Sequence, residues 1–99
     1  MVYDLDSLNL NKKTFKERPN TLWRYHELLP IEDKTKITDL GAGFTILHEC
    51  DNLAKELGLR RLFIKDDAVN PTGSFKDRPA TVAVSKALEF GFKAVGCAS

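Results

Sequence analysis

The sequence predicts an open α/β layer structure, in which helices cover a mostly parallel sheet. Two observations carry that expectation. Short apolar runs alternate with helical patterns: Phe44 to Leu47, "CDNLAKELGL", "RLFIKDD", a long helical stretch from about Ser74 to Phe90, then Ala94 to Ala98. Along the longest pattern Ala80, Ala83, Val84 and Ala87 form a stripe of small apolar residues that permits close approach to a sheet, as in a crossover helix.

The elements follow in chain order. Residues 1–20 are polar with no sustained period and read as an N-terminal extension or wrapping arm; residues 21–99 read as a partial α/β domain. In "TLWRYHELLP", Thr21 suits a cap and the apolar spacing predicts a short helix stopped before Pro30. Gly41 and Gly43 frame a turn, and Phe44 to Leu47 reads as a brief strand. Asp51 suits an N-cap, Leu53, Ala54 and Leu57 share one helical face, and Gly58 suits the left-handed position that ends a helix. Residues 62–65 read as a strand entering the core. On the helix from Ser74, Arg78, Thr81, Ser85 and Glu89 mark a polar face, and Gly91 ends it. Ala94 to Ala98 is the next expected strand. "KAVGCAS" then stops at a turn with nothing to lead into, so a truncated chain is expected, its sheet incomplete.

Composition narrows the function classes. The 99 residues are 42% hydrophobic and 29% charged, with 15 basic and 14 acidic side chains. This is ordinary globular composition for one small domain or a piece of a larger one. Such a balance offers no positive field for a nucleic-acid backbone. No apolar run is long enough for a bilayer, and "MVYDLDSLN" lacks a signal pattern, so neither nucleic acid nor membrane is an expected partner. Cys50 and Cys97 are too few for a disulfide framework, and their spacing to His26 and His48 matches no metal signature. A reducing cytoplasm is the expected setting, with no metal. His26, Trp23 and Tyr25 read as structural, and Lys65, Asp66 and Asp67 as shaping the loop that follows the strand.

That loop, "NPTGSFKDRP", is where chemistry concentrates. Ligands in open α/β folds collect beyond the carboxyl ends of strands, and Lys76 lies one turn past the strand at 62–65. Ser74 and Asp77 have capping-box spacing, and Asp77 suits the positive end of the helix dipole. Lys76 opposes that dipole, which favours the neutral amine needed for attack on a carbonyl. Pro79 conflicts with a helix begun at Ser74, so either the first turn is distorted or the helix begins nearer Asp77. From the residues alone two readings stay open: a capped helix start with a solvated lysine, and a reactive amine. A phosphate-binding P-loop does not fit, because Phe75 stands where a second glycine belongs.

"NPTGSFKDR" closely resembles the lysine segment of the threonine synthases, members of the β-family, or fold type II, of pyridoxal-phosphate enzymes. "LWRYHELLP", the Leu40, Gly41, Gly43, Thr45, Leu47 series, "NLAKELGL" and "VSKALEFGFKAVGCAS" agree in order, so the resemblance covers roughly residues 20–99. It implies that Lys76 is the Schiff-base lysine for pyridoxal 5'-phosphate and the acid and base at the substrate α and β carbons. It further implies that Phe75 lies beside the cofactor ring, that Ser74 and Asp77 hold the turn, and that Arg78 supports it from behind. Ser99 resembles the first residue of the loop that receives the substrate carboxylate. The implied reaction converts O-phospho-L-homoserine and water to L-threonine and phosphate, by γ-elimination and β-addition, in a homodimeric lyase. The family's phosphate loop lies far downstream, so these residues alone are expected to be inactive.

Two departures stand out. The family usually has glutamate and a Thr-Pro pair where this chain has Ala42, Phe44 and Ile46 in "GAGFTIL", which bears on substrate identity. It usually has glycine where this chain has Pro79. The rival readings are a threonine or serine dehydratase or a cysteate synthase, which share parts of the pattern, and a non-catalytic α/β structural or interaction fragment.

Overall fold

The computed structural model describes residue 4 and residues 6–98. Two strands, β1 (Leu47–Glu49) and β2 (Phe63–Lys65), flank helix α1 (Asp51–Glu56), and the longer α2 (Asp77–Glu89) follows the lysine turn. Three short 3₁₀ segments, Leu22–Leu28, Lys34–Lys36 and Asp67–Val69, complete the regular structure among the described residues.

The strands pair antiparallel, with Leu47 opposite Lys65, His48 opposite Ile64 and Glu49 opposite Phe63. Cys50 N–H donates to the Leu62 carbonyl and Asp66 N–H to the Ile46 carbonyl, both at 2.9 Å, which extends the pairing at each end. The expected mostly parallel sheet is therefore not displayed by the described residues. The reason is connectivity. Residues 50–62 form one short helix and a return, which brings the chain back beside β1 in the opposite direction, whereas a parallel neighbour needs a full crossover. The segment expected as the next strand, residues 94–98, joins no ladder.

Local expectations fare unevenly. Thr21 caps as expected, its hydroxyl accepting from Trp23 N–H at 3.3 Å, and Leu29 closes the segment just before Pro30. The helix itself is 3₁₀ and kinks at Tyr25 (φ −109°, ψ 29°), where the buried Trp23 and Arg24 fix the preceding turn. The strand expected at 44–47 is displaced to 47–49 because Phe44 adopts a positive φ of 51°, which strand geometry forbids. At α1, Cys50 rather than Asp51 occupies the cap position, and Asp51 sits in the first turn. Gly58 and Gly91 take the left-handed conformation expected after their helices.

Burial runs against the usual pattern. Among the described residues the buried hydrophobic side chains are Trp23, Ala42 and Ala54, while Arg24, Thr45, Asn70, Asp77, Thr81 and Ser85 are buried polar ones. A radius of gyration of 16.9 Å exceeds the roughly 13 Å of a compact domain of about 100 residues. The arm closes on the 3₁₀ segment at Leu22–Leu28: Phe15 and Tyr25 rings lie 5.1 Å apart, and Arg18 forks onto Glu27 at 2.7 and 2.5 Å. That fork is the main cause holding the Glu27 carboxyl down at about 2.

Residues 20–40 then lie along the polar face of α2. Trp23 Nε1 donates to Thr81 Oγ1 at 3.2 Å, and that hydroxyl donates to the Thr38 carbonyl. Thr38 N–H donates to Ser85 Oγ at 2.8 Å, and Glu89 accepts from the Glu32 and Asp33 amides at 2.8 and 2.6 Å. The stripe Asp77, Thr81, Ser85 recurs every four residues, which keeps it on one side of the helix. Arg78 leaves that stripe and turns toward the loop before the helix.

Candidate active site

The turn that carries Lys76 is fixed from three sides. After β2, Asp66 accepts from Ala68 N–H at 2.9 Å and starts a 3₁₀ turn that ends at the buried Asn70. Asn70 Oδ1 accepts from Gly43 N–H at 2.9 Å, and its Nδ2 donates to the Asp67 carbonyl at 2.8 Å. Gly73, at φ 73°, allows the tight reversal in which its N–H donates to the Asn70 carbonyl at 2.8 Å. Thr72 then donates through its N–H to Asp77 Oδ2 at 2.8 Å and through its hydroxyl to Asp77 Oδ1 at 2.6 Å.

This bonding replaces the expected capping box. Ser74 Oγ accepts from Lys76 N–H at 3.2 Å, but the Asp77 carboxylate reaches back to Thr72 rather than to Ser74. The regular helix begins at Asp77, with Lys76 in the cap position, which settles the conflict posed by Pro79. Pro79 is then the third helical residue, where a backbone N–H has no intrahelical acceptor. Arg78 N–H bonds the Phe75 carbonyl at 3.1 Å, and Ala80 N–H makes the first full helical bond to Lys76 at 3.0 Å.

Behind the turn, Arg78 grips Asp67 through Nη2 at 2.7 Å and Nε at 3.1 Å, and also reaches Thr45 Oγ1 at 3.2 Å. Thr45 in turn donates to Asp67 at 2.7 Å. Arg78 first and Thr45 second hold the Asp67 carboxyl below its ordinary value, and Asp67 raises the guanidinium above its own. Gly43 is indispensable here: a Cβ would fall 2.8 Å from Leu22 N and 3.1 Å from Arg78 Nη1. The "GAGFT" segment thus sits wedged between the 3₁₀ segment at Leu22–Leu28, where Leu22 N–H donates to the Ala42 carbonyl at 2.7 Å, and the lysine turn. Of the departures from the family pattern, Ala42 is fully buried, whereas Phe44 and Ile46 are exposed and Phe44 lies under the Arg24 guanidinium, 4.6 Å from the ring centre.

Lys76 lines a groove of about 400 Å³ with Pro79, Ala80, Ala83, Cys97 and Ala98. The volume lies within the range of small-molecule sites. One primary amine among apolar walls suits a flat aromatic aldehyde, so these residues fit pyridoxal phosphate at its reactive end. Phe75, 61% exposed, is not among the described lining residues, and Ser99 lies outside the described residues. No cluster of three or more His, Cys, Asp or Glu suited to a metal occurs among the described residues, and none of their helices is long and apolar enough to cross a membrane. Sequence reading missed the bonds of Asn70 and Thr72. The Thr72-to-Asp77 spacing was available, but nothing in it announces a bond without the helix start in hand.

Comparison with known proteins shows the family of the chain. The chain is 45% identical over its whole length to the threonine synthase of Methanocaldococcus jannaschii and 42% identical to that of Methanosarcina acetivorans. It is 50% identical over 76% of its length to the threonine synthase of Synechocystis. It spans 25%, 24% and 20% of those three proteins, about a quarter of their length or less. No solved structure matches. The family model described as pyridoxal-phosphate dependent enzyme matches residues 38–99, which takes in the wedge, the turn and the groove, and the chain belongs to that family, with its α/β fold of type II.

Proposed function

We propose that this chain is the lysine-bearing N-terminal portion of a threonine synthase, a lyase that converts O-phospho-L-homoserine and water to L-threonine and phosphate. The observation that carries the reading is Lys76 itself: an amine on the wall of an apolar groove, presented by a turn bonded at Asn70, Asp77 and Arg78. Similarity to the three threonine synthases over 76% or more of the chain supports the choice within the family.

When bound, the cofactor supplies an electron sink for chemistry at the amino-acid α-carbon. Lys76 Nζ would be the group that holds it, and the same amine would take a proton at the substrate α-carbon and return one at the neighbouring carbon. Pro79, Ala80 and Ala83 line the groove beside the amine with apolar surface. In this reading Phe75 packs near the cofactor ring, Ser99 opens the loop for the substrate carboxylate, and the complete enzyme is a cytoplasmic homodimer. The remaining binding groups correspond in this reading to the part of the relatives that the chain does not span, and the 99 residues alone would be inactive.

The test uses the longer polypeptide with pyridoxal phosphate. Borohydride reduction should fix the cofactor on Lys76, identified by peptide mass, and Lys76→Ala should remove it. Phosphohomoserine, threonine and phosphoserine are then offered as substrates. Phosphate and threonine formed from phosphohomoserine support the reading. Turnover of threonine or phosphoserine in its place points to a dehydratase or cysteate synthase, and absence of label at Lys76 overturns the reading.

A further inference from the structure

We infer that Thr72 and Asp77 form a positioning clasp that sets where the Lys76 amine stands, separate from the bonds that hold the fold. The inference rests on the functional reading of Lys76 given above. The ends of the turn are tied elsewhere, Asn70 to Gly43 and Arg78 to Asp67. Between those ties the Asp77 carboxylate, on a residue only 6% exposed, spends both oxygens on one partner, the N–H and hydroxyl of Thr72. The bond pair closes a loop whose interior is Gly73, Ser74, Phe75 and Lys76. Within it the Ser74 hydroxyl makes a longer bond of 3.2 Å to Lys76 N–H. The Phe75 and Lys76 carbonyls accept from Arg78 and Ala80 N–H at 3.1 and 3.0 Å, so the clasp acts on a loop already joined to the start of α2.

The chemistry needs such a device. For capture, Nζ attacks the aldehyde carbon, the amine gives up two protons, and the carbonyl oxygen leaves with them as water. The rate depends on how well the amine is aimed, and small misplacement costs about 10²-fold. Removing the clasp while leaving Asn70 and Arg78 bonded should loosen residues 73–76, whose remaining backbone bonds to Asn70, Arg78 and Ala80 stay, without unfolding the domain.

Thr72→Val, nearly isosteric, deletes the hydroxyl donor and keeps the backbone one. In the longer polypeptide it should slow capture of pyridoxal phosphate at Lys76 about tenfold, and Thr72→Ser should restore it. Asp77→Asn should cost more. A second readout needs no cofactor: hydrogen exchange of the peptide spanning residues 70–78 in the cofactor-free protein should quicken in Thr72→Val, with the melting midpoint close to wild type. Wild-type capture and exchange in Thr72→Val would overturn the clasp, as would a capture loss no greater than the loss of folded protein. If the wild type carries no cofactor on Lys76, the functional reading has failed, and the exchange comparison alone decides whether the clasp holds the loop.

Discussion

The two sides of α2 differ in kind. One side, Asp77, Thr81, Ser85 and Glu89, is polar and occupied, with Asp77, Thr81 and Ser85 buried and Thr81, Ser85 and Glu89 bonded to residues 23–38. The other, with Ala80, Ala83, Val84 and Ala87, is small and apolar and borders open grooves lined by Leu88, Phe92 and Val95. The polar side is bonded within this chain because hydrogen bonds need only one partner each, which residues 23–38 supply. An apolar face gains stability in proportion to the area removed from water, and residues 94–98 cover little of it. Hydrogen bonding therefore organises the half of the helix that meets residues 23–38, while the half that faces the groove depends on further surface.

That contrast breaks most sharply at Val84. In the longer polypeptide proposed above, Val84→Asp would bury an unpaired carboxylate, at a cost of about 3 kcal/mol or more. In the 99-residue chain the same change should alter the urea midpoint little and improve solubility. Equal effects in both proteins would mean that the apolar face stays open. On the polar side, Thr81→Val strands the Trp23 indole N–H and costs about 2 kcal/mol in either protein, read by urea unfolding with Trp23 fluorescence. Ser85→Ala strands the Thr38 amide and removes a donor from the Thr81 carbonyl, which is also a helical acceptor, and should cost about 1 kcal/mol by the same measurement.

The contrast also explains what the sequence could disclose. The position of α2 and its two-sided character follow from residue spacing, and Gly58 and Gly91 mark helix ends through a conformation that glycine tolerates best. Which side is buried does not follow. Thr81 and Ser85 look like solvent residues until Trp23 and Thr38 are known to bond them, across 58 and 47 positions in sequence. At the site, the place of Lys76 at the head of α2 is legible because its turn and strand-end position are local, while its proposed role rests on family resemblance. The Asp77 bond is misread for a physical reason. A capping box requires the helix to start at Ser74, and Pro79 tolerates a start only nearer Asp77. The sheet was least legible, since strands of three residues carry almost no periodic signal and Phe44 interrupts the first.

The smallest effect lies in acid, at the far end of the polar side. Glu89 is held at about 2 instead of its usual 4.5, first by the Asp33 amide and then by Lys86. A carboxyl whose folded value is depressed stabilises the fold fully above its unfolded value, and the contribution is lost as pH falls through the folded one. Stability from Glu89 should therefore fade between about pH 4.5 and about pH 2. Glu27, also held at about 2 by Arg18, fades over the same window, so the acid slope has more than one source. Glu89→Gln should lower the unfolding midpoint slightly at neutral pH and flatten the acid limb by about one proton. A double variant with Glu27→Gln should flatten it by about one more. If Glu89→Gln leaves the acid limb as steep as in the wild type, residues 32 and 33 do not bond the helix in solution, and the polar side of α2 closes only as far as Ser85.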